Sequence, residues 1–319
     1  MRGGGPAAGK FLLFTRARCR LTWPREQQRF YPPNLLRWHP EFGALRRARP
    51  PPPPLMKPLP ISVCFISGAE VQRIGRALES VAGWTAEIVA VINEDVRDGT
   101  EELIRKHGGR VQRHAWQGFR EQKNLVQNYA TQPWILQLDA DEEVSPALRR
   151  ELEQFFTGEH ERFAGASCPR KVWFLGRWIT HGDWYPDRVL RLYRREAGKW
   201  GGSTEHCAVE LRGVERRLRR DLHHYSSPTI ADLLKKFPYY ADIYLHRQLD
   251  AGQRWSAPPV IVRAAWRFFR AYFFRRGFLD GYPGFFIAVS TAYATLYRHT
   301  RLYEHLHGSA PPCPPPASR

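Results

Sequence analysis

Apolar and polar positions along this chain change pattern twice, and the change points mark its organisation. Between Leu59 and Leu138, short unbroken apolar runs alternate with stretches whose apolar residues recur every three or four positions. Ile61 to Ile66 is rich in apolar and β-branched residues and predicts a buried strand, after which Val71, Ile74, Leu78 and Val81 share one helix face. The pairing repeats. A strand at Glu87 to Ile92 precedes a helix at Thr100 to His107, and a strand opening at Val111 precedes a helix at Gln122 to Ala130. Trp134 to Leu138 is a fourth strand. Unbroken apolar strands alternating with helices predict a parallel sheet covered on both faces. Such sheets bind ligands outside the carboxyl ends of their strands, so the residues after Leu138 have first claim on function.

Residues 1–57 show neither period. They are rich in Arg, Gly and Pro, include the run Pro50 to Pro54, and predict a disordered basic extension. Met56 is one of only two methionines and directly precedes the first strand, which favours a translation start there. A basic polyproline tail that docks a partner is the alternative. A globular domain is expected over 58–253, basic aromatic helices over 254–307, and a short disordered tail over 308–319. Residues 260–276 place Arg263, Arg267 and Arg270 on one helical stripe with Trp266, Phe269, Tyr272 and Phe273 around it. That mixture suits a helix lying in an anionic membrane interface. The next apolar stretch, Pro283 to Tyr297, falls short of the ~20 residues that span a bilayer. Peripheral attachment is therefore expected, with packing on the domain or in a dimer as the plainer alternative.

Charge sharpens this division. The net charge is +18, but residues 1–57 carry +10, residues 254–319 carry +7, and residues 58–253 only +1. A nucleic-acid-binding domain should carry its basic patch on the folded body, so no nucleic-acid partner is expected. The five cysteines show no C-x-x-C spacing, which argues against a zinc knuckle or disulfide framework and for a reducing compartment. The apolar run Phe11 to Phe14 is shorter than the roughly 7–15 residues of a secretory signal core, so none is predicted. No G-x-G-x-x-G follows the first strand, which disfavours a dinucleotide enzyme.

The fourth strand runs into Asp139-Ala140-Asp141-Glu142-Glu143. Two carboxylates separated by one residue, on a turn leaving a strand, can face one crevice. Mg²⁺ or Mn²⁺ takes such carboxylates together with substrate phosphates, which points to Asp139 and Asp141 as metal ligands. Glu142 and Glu143 fit a plainer role, favouring the N-terminus of a helix after Ser145-Pro146.

Several further pieces, in order, carry a family resemblance. They are Ile61 to Ser67, Asp98-Gly99-Thr100, Trp116-Gln117-Gly118-Phe119, Gln122-Lys123-Asn124 and Trp134 to Glu142. Downstream come Phe174 to Trp178, His181 to Asp187, Leu190 to Arg194, and Phe278-Leu279-Asp280-Gly281. Together they resemble glycosyltransferase family 2, in particular the bacterial lipopolysaccharide inner-core glucosyltransferases. The resemblance implies an α/β fold of GT-A type, the nucleotide-diphospho-sugar transferase fold with a mostly parallel sheet, followed here by a helical membrane-associating segment. It implies an inverting, metal-assisted transferase with a nucleotide-sugar donor, a UDP-sugar first among candidates, and a glycan or glycolipid acceptor. Its expected place is the inner face of the cytoplasmic membrane.

By the same resemblance, Ser67, Glu70 and Asn93 surround the nucleoside. Lys123, Asn124 and Asp139 lie at the donor, and Asp139, Asp141 and His206 at the metal. Asp187 is the favoured base and Asp183 the second candidate, while Trp184 and Tyr185 offer rings to the acceptor sugar. Three departures stand out: Ala69 where the family has Asn, Asn93-Glu94-Asp95 at the end of the second strand, and Cys207 after His206. They leave the donor base open. They also keep alive a catalytically silent binder of sugar nucleotides or membrane surfaces. His223 and His224 read as structural, and Arg216 to Arg220 as a solvated face.

Overall fold

Strand β1 (Leu59–Ser67) has its last seven residues buried, as a strand sandwiched on both faces requires. Side chains alternate along it. Ile61, Val63 and Phe65 pack with α1 (Ile74–Val81), while Cys64 and Ile66 pack with Val126 on α3 (Phe119–Asn128). Between these helices lie β2 (Thr85–Asn93), α2 (Thr100–Lys106) and β3 (Arg110–His114), and β4 (Trp134–Leu138) follows α3. β1 pairs in parallel with β2 and β4, and β2 with β3, giving the order β3-β2-β1-β4. The predicted alternation is present, and α1 buries Ile74, Leu78 and Val81 from the predicted face. The computed structural model describes residues 57–202, 207–226, 229–252 and 254–308. The expectations for the N-terminal extension, for the tail beyond Gly308 and for His206 lie outside the described residues.

Beyond β4 the sheet is mixed, which corrects the mostly parallel expectation. It continues through β8 (Asp187–Arg194), β6 (Gly165–Phe174), β12 (Leu222–His224) and β5 (Glu142–Val144). β8 runs antiparallel to both β4 and β6. Antiparallel strands need no helical crossover, and this part of the chain supplies none after α4 (Pro146–Phe155). A tight turn through Leu175 and Gly176, both at positive φ, folds β7 (Arg177–Trp178) back on β6. β9 (Gly198–Gly202) and β10 (Cys207–Leu211) form a separate two-stranded sheet, and β11 (Glu215–Arg217) adds to β6. Cys64 and Cys168 are buried free thiols, pushed up by burial.

Helix α5 (Ile230–Asp250) follows β12, capped by Thr229, which accepts from the Asp232 amide. α6 (Ala257–Phe269), a π-helical turn at Arg270–Phe274 and α7 (Gly281–His307) complete the described chain, with α5 and α6 both packed on α7. Among the described residues, no helix is long and apolar enough to cross a membrane. Asp280, fully buried, ties this assembly to the sheet domain. Its carboxylate accepts from the Thr180 amide (3.0 Å), the Thr180 hydroxyl (2.9 Å) and the His181 amide (2.7 Å).

Candidate active site

Three strand ends meet at the carboxyl edge of the parallel half. Pairing sets Ser67 beside Ile92, one residue before Asn93, and Phe65 beside Leu138, one residue before Asp139. After Leu138 the chain turns sharply, the Glu142 amide donating to the Asp139 carbonyl (3.0 Å). The edge opens into a cleft of about 1160 Å³. Nine of the twelve predicted site residues line it: Ser67, Glu70, Asn93, Lys123, Asp139, Asp141, Asp183, Trp184 and Asp187. Residues 120 positions apart thus share one cavity.

A chain of alternating charges crosses the floor. Lys123 Nζ lies 3.0 Å from Asp139 Oδ1 and 4.3 Å above the Trp200 ring. Arg191 Nη2 lies 2.6 Å from Asp139 Oδ2 and 2.6 Å from Glu142 Oε1. Arg170 reaches Glu142 (3.0 Å) and clamps Asp187 Oδ2 through Nε (2.9 Å) and Nη2 (2.6 Å). Burial works against the Asp139 charge, but Arg191 and Lys123 outweigh it and hold the carboxyl well below the usual range. The Arg191 guanidinium is likewise held fully charged by Asp139 and Glu142 despite its burial.

Asp141 stands apart from this chain. Its Oδ2 is 3.5 Å from His224 Nε2; burial works against its charge, but His224 outweighs burial and holds its pKa below the ordinary value. The structural reading of His224 is thereby corrected: β12 pairs antiparallel with β5, setting His224 opposite Glu142 and facing the cleft. His223 is stacked on Trp178 with ring centroids 4.1 Å apart.

The structure places the other predicted residues as follows. Asp183 is nearly buried among Arg270 (3.1 Å), Arg267 (3.6 Å) and Arg275 (3.6 Å). Asp187 keeps 43 % of its side chain exposed to the cleft, with one oxygen clamped by Arg170. Asn124 does not line the cleft; its amide donates to the Trp200 carbonyl and accepts from the Trp200 amide, fixing β9 against α3. Tyr185 also lies outside the lining, its hydroxyl donating to Asp221 (2.8 Å), and burial together with Asp221 pushes it up to about 12. Glu142 and Glu143 do not serve a helix N-terminus. Ser145 caps α4 instead, accepting from the Leu148 amide, while Glu142 holds two arginines and Glu143 accepts from the Tyr225 hydroxyl.

Sequence reasoning missed Arg170, Arg191 and Lys236. Arg191 was detectable as a charge between two leucines on a strand. Arg170 and Lys236 carry no such local signal. Lys236, on α5, lines the cleft with its ammonium donating to the Ser226 carbonyl (2.9 Å). The other cleft cations each face a carboxylate: Arg73 with Glu70, Lys123 with Asp139, Arg170 with Asp187, Arg275 with Asp183. Among the described residues Lys236 has no acidic partner within salt-bridge reach.

Among the described residues no cluster of three or more His, Cys, Asp or Glu side chains forms a ready metal cage. A divalent cation held partly by substrate phosphates needs fewer protein ligands. The Asp141 carboxylate and His224 imidazole, close together on the cleft wall, fit that requirement. Asp139 fits it less well, since both its oxygens already face cations.

A half-parallel sheet with acids on the turn leaving its central strand defines a nucleotide-sugar transferase fold of GT-A type. Residues 62–219 match the family model described as glycosyl transferase family 2, so the chain carries a domain of that family. It is a glycosyltransferase. It is 28% identical over 254 residues to an uncharacterized glycosyltransferase of Rickettsia typhi, covering 76% of this chain and 87% of the relative. It is 26% identical over 253 residues to the lipopolysaccharide core biosynthesis glycosyltransferase LpsC of Rhizobium meliloti, covering 77% and 93%. Among solved structures, Staphylococcus aureus TarS aligns at a TM-score of 0.40 and 15% identity over 76% of this chain and 50% of that one.

Proposed function

We propose that this enzyme transfers a sugar from a nucleotide-sugar donor, a UDP-sugar first among candidates, to a saccharide or lipid-linked acceptor of the cell envelope, with inversion. The observation that carries the reading is the charge chain from Lys123 to Asp187, which joins the donor edge of the sheet to a cleft-exposed carboxylate. The likeness to LpsC supports a lipopolysaccharide-core type of acceptor, and with it a place at the inner face of the cytoplasmic membrane.

Ser67, Glu70 and Asn93 would receive the nucleoside at the ends of β1 and β2. Lys123 and Arg191 keep Asp139 ionised and oriented beside the donor. Asp141 and His224 would hold Mg²⁺ or Mn²⁺, which when bound neutralises charge on the diphosphate. Lys236 adds a cation whose ammonium no carboxylate among the described residues has claimed. On the acceptor side, Arg170 fixes Asp187 through one oxygen and leaves the other to take the proton of the attacking hydroxyl. The hydroxyl oxygen bonds to the anomeric carbon as the bond from that carbon to the diphosphate oxygen breaks. The nucleoside diphosphate departs with the electron pair. Trp184 offers an apolar ring face to a pyranose. Asp183 is a weaker base candidate, because three guanidiniums surround it.

Release of nucleoside diphosphate from nucleotide sugars, with and without Mn²⁺, tests the reading. Turnover by the wild-type protein that needs Mn²⁺ and disappears in Asp141→Asn is the expected result. Thermal stabilisation by a nucleotide sugar with no turnover under any condition would favour the silent binder instead.

A further inference from the structure

The apolar surface that the cleft does not use lies on the C-terminal helices, and its chemistry is one-sided. Val262, Trp266, Phe269 and Phe273 recur along one side of α6 and its π-helical turn, each half or more exposed. Phe274, at 71% exposure, lies tilted against Trp266 with centroids 5.4 Å apart. Tyr272 joins this patch to Phe278 and to Phe285 at the start of α7. A contiguous exposed aromatic patch of this kind marks an interaction surface.

Charge names the partner. From Arg254 to Tyr303 the chain has eight arginines and a single acid, Asp280, which is fully buried. Arg263, Arg275 and Arg276 are exposed beside the aromatics. Arg267, Arg270 and Arg275 converge on the one carboxylate of Asp183, so positive charge is left over where this surface meets the cleft. A second protein copy would bring the same excess of arginine to the contact and be repelled. An anionic lipid surface is complementary on both counts, apolar below its headgroups and negative at them.

We propose that α6, the π-helical turn and the start of α7 form a docking face for an anionic phospholipid bilayer, seating the mouth of the cleft at the membrane surface. The bilayer is touched, not crossed. Arg275 belongs to both regions, lining the cleft and flanking Phe274. A lipid-anchored acceptor would thereby be delivered within the same plane as Asp187. The delivery rests on the proposed transferase reading, whereas the docking itself does not.

The test uses the full chain and vesicles of phosphatidylcholine, pure or with about a third phosphatidylglycerol, in flotation assays. Binding should require phosphatidylglycerol and weaken as salt rises. Arg276→Ser should lower the vesicle partition coefficient about fivefold, and Phe273→Ser with Phe274→Ser about tenfold or more. These side chains are exposed, so unchanged melting temperatures are expected; should the double variant misfold, Arg276→Ser and the salt dependence decide. Equal binding to both vesicle types, or binding indifferent to all these variants, would overturn the proposal. So would an absence of vesicle binding combined with a dimer that Phe274→Ser splits, since the face would then serve self-association. Nucleoside diphosphate release, measured without vesicles, separates failure of the docking from failure of the catalytic reading.

Discussion

Arg191 shares one guanidinium nitrogen between Asp139 and Glu142, at 2.6 Å from each carboxylate. It is nearly buried, and so is Glu142. Removing the cation leaves Asp139 to Lys123 alone and Glu142 to Arg170 alone, and breaking a buried ion pair from one side costs about 3–5 kcal/mol. Arg191→Met should show a loss of that order in urea unfolding. The pH dependence follows from the depressed pKa of Asp139. Its contribution is complete above the unfolded value of about 4 and drains away as pH falls further. Wild-type stability should therefore decline steeply in acid, and Arg191→Met should have a shallower acid limb. Parallel curves for the two proteins would remove this ion pair from the account.

Asp187 and Asp183 separate by kinetics. Asp187→Asn should reduce kcat about a hundredfold or more, the usual yield of a general base, with little change in donor affinity. Asp183→Asn should instead lower the melting temperature, since Arg267, Arg270 and Arg275 lose their common anion. Steady-state rates paired with thermal melts distinguish the two outcomes; a large kcat loss only in Asp183→Asn would reverse the assignment.

For Lys236 the expectation concerns the donor. A hydrogen bond to a charged group contributes about 1.5–3 kcal/mol, so Lys236→Met should weaken nucleoside diphosphate binding about tenfold to a hundredfold. Lys236→Arg keeps the charge and should recover part of it. Calorimetric titration reads both. Unchanged affinity in Lys236→Met would mean the ammonium never meets the diphosphate.

His299 gives the helical assembly its own pH signature. It is buried on α7 and bonded to the Tyr244 hydroxyl of α5 (3.0 Å). Burial first, then Arg298 and Arg263, lower its pKa to about 4. A depressed histidine supports folding above its unfolded pKa of about 6.5, and that support fades as pH falls toward the folded value. Melting temperature should drop across this interval in the wild type and drop less in His299→Gln. A flat wild-type profile there would count against the buried neutral imidazole.

The parallel half of the fold was legible because β1, β2 and β4 are dominated by buried apolar residues and α1 keeps one apolar stripe, so Ile61, Ile74 and Leu78 announce their places locally. The mixed half was not. Its strands are fixed by pairing between distant segments, such as Leu222 with Arg170, and no periodicity encodes a partner. The same divide runs through the site. Asp139 and Asp141 could be found from the strand end that carries them, but Arg170, Glu142 and Arg191 come together only when β5, β6 and β8 align. Nothing local marked His224 for the cleft, since its partner Asp141 is distant in sequence. Asp280 was recognised only as part of a four-residue resemblance, and its buried bonds to Thr180 and His181 now give that motif a physical reason.

Those bonds, with the arginines around Asp183, mean that the segment from Thr180 to Asp187 is held in shape from 80 or more residues downstream. The terminal helices therefore brace the wall of the cleft and cannot be trimmed like an appendage. A truncation before Arg267 would be expected to spoil the acceptor wall while sparing the nucleotide pocket. Chimeras that exchange acceptor preference between relatives would have to swap both stretches as a matched pair.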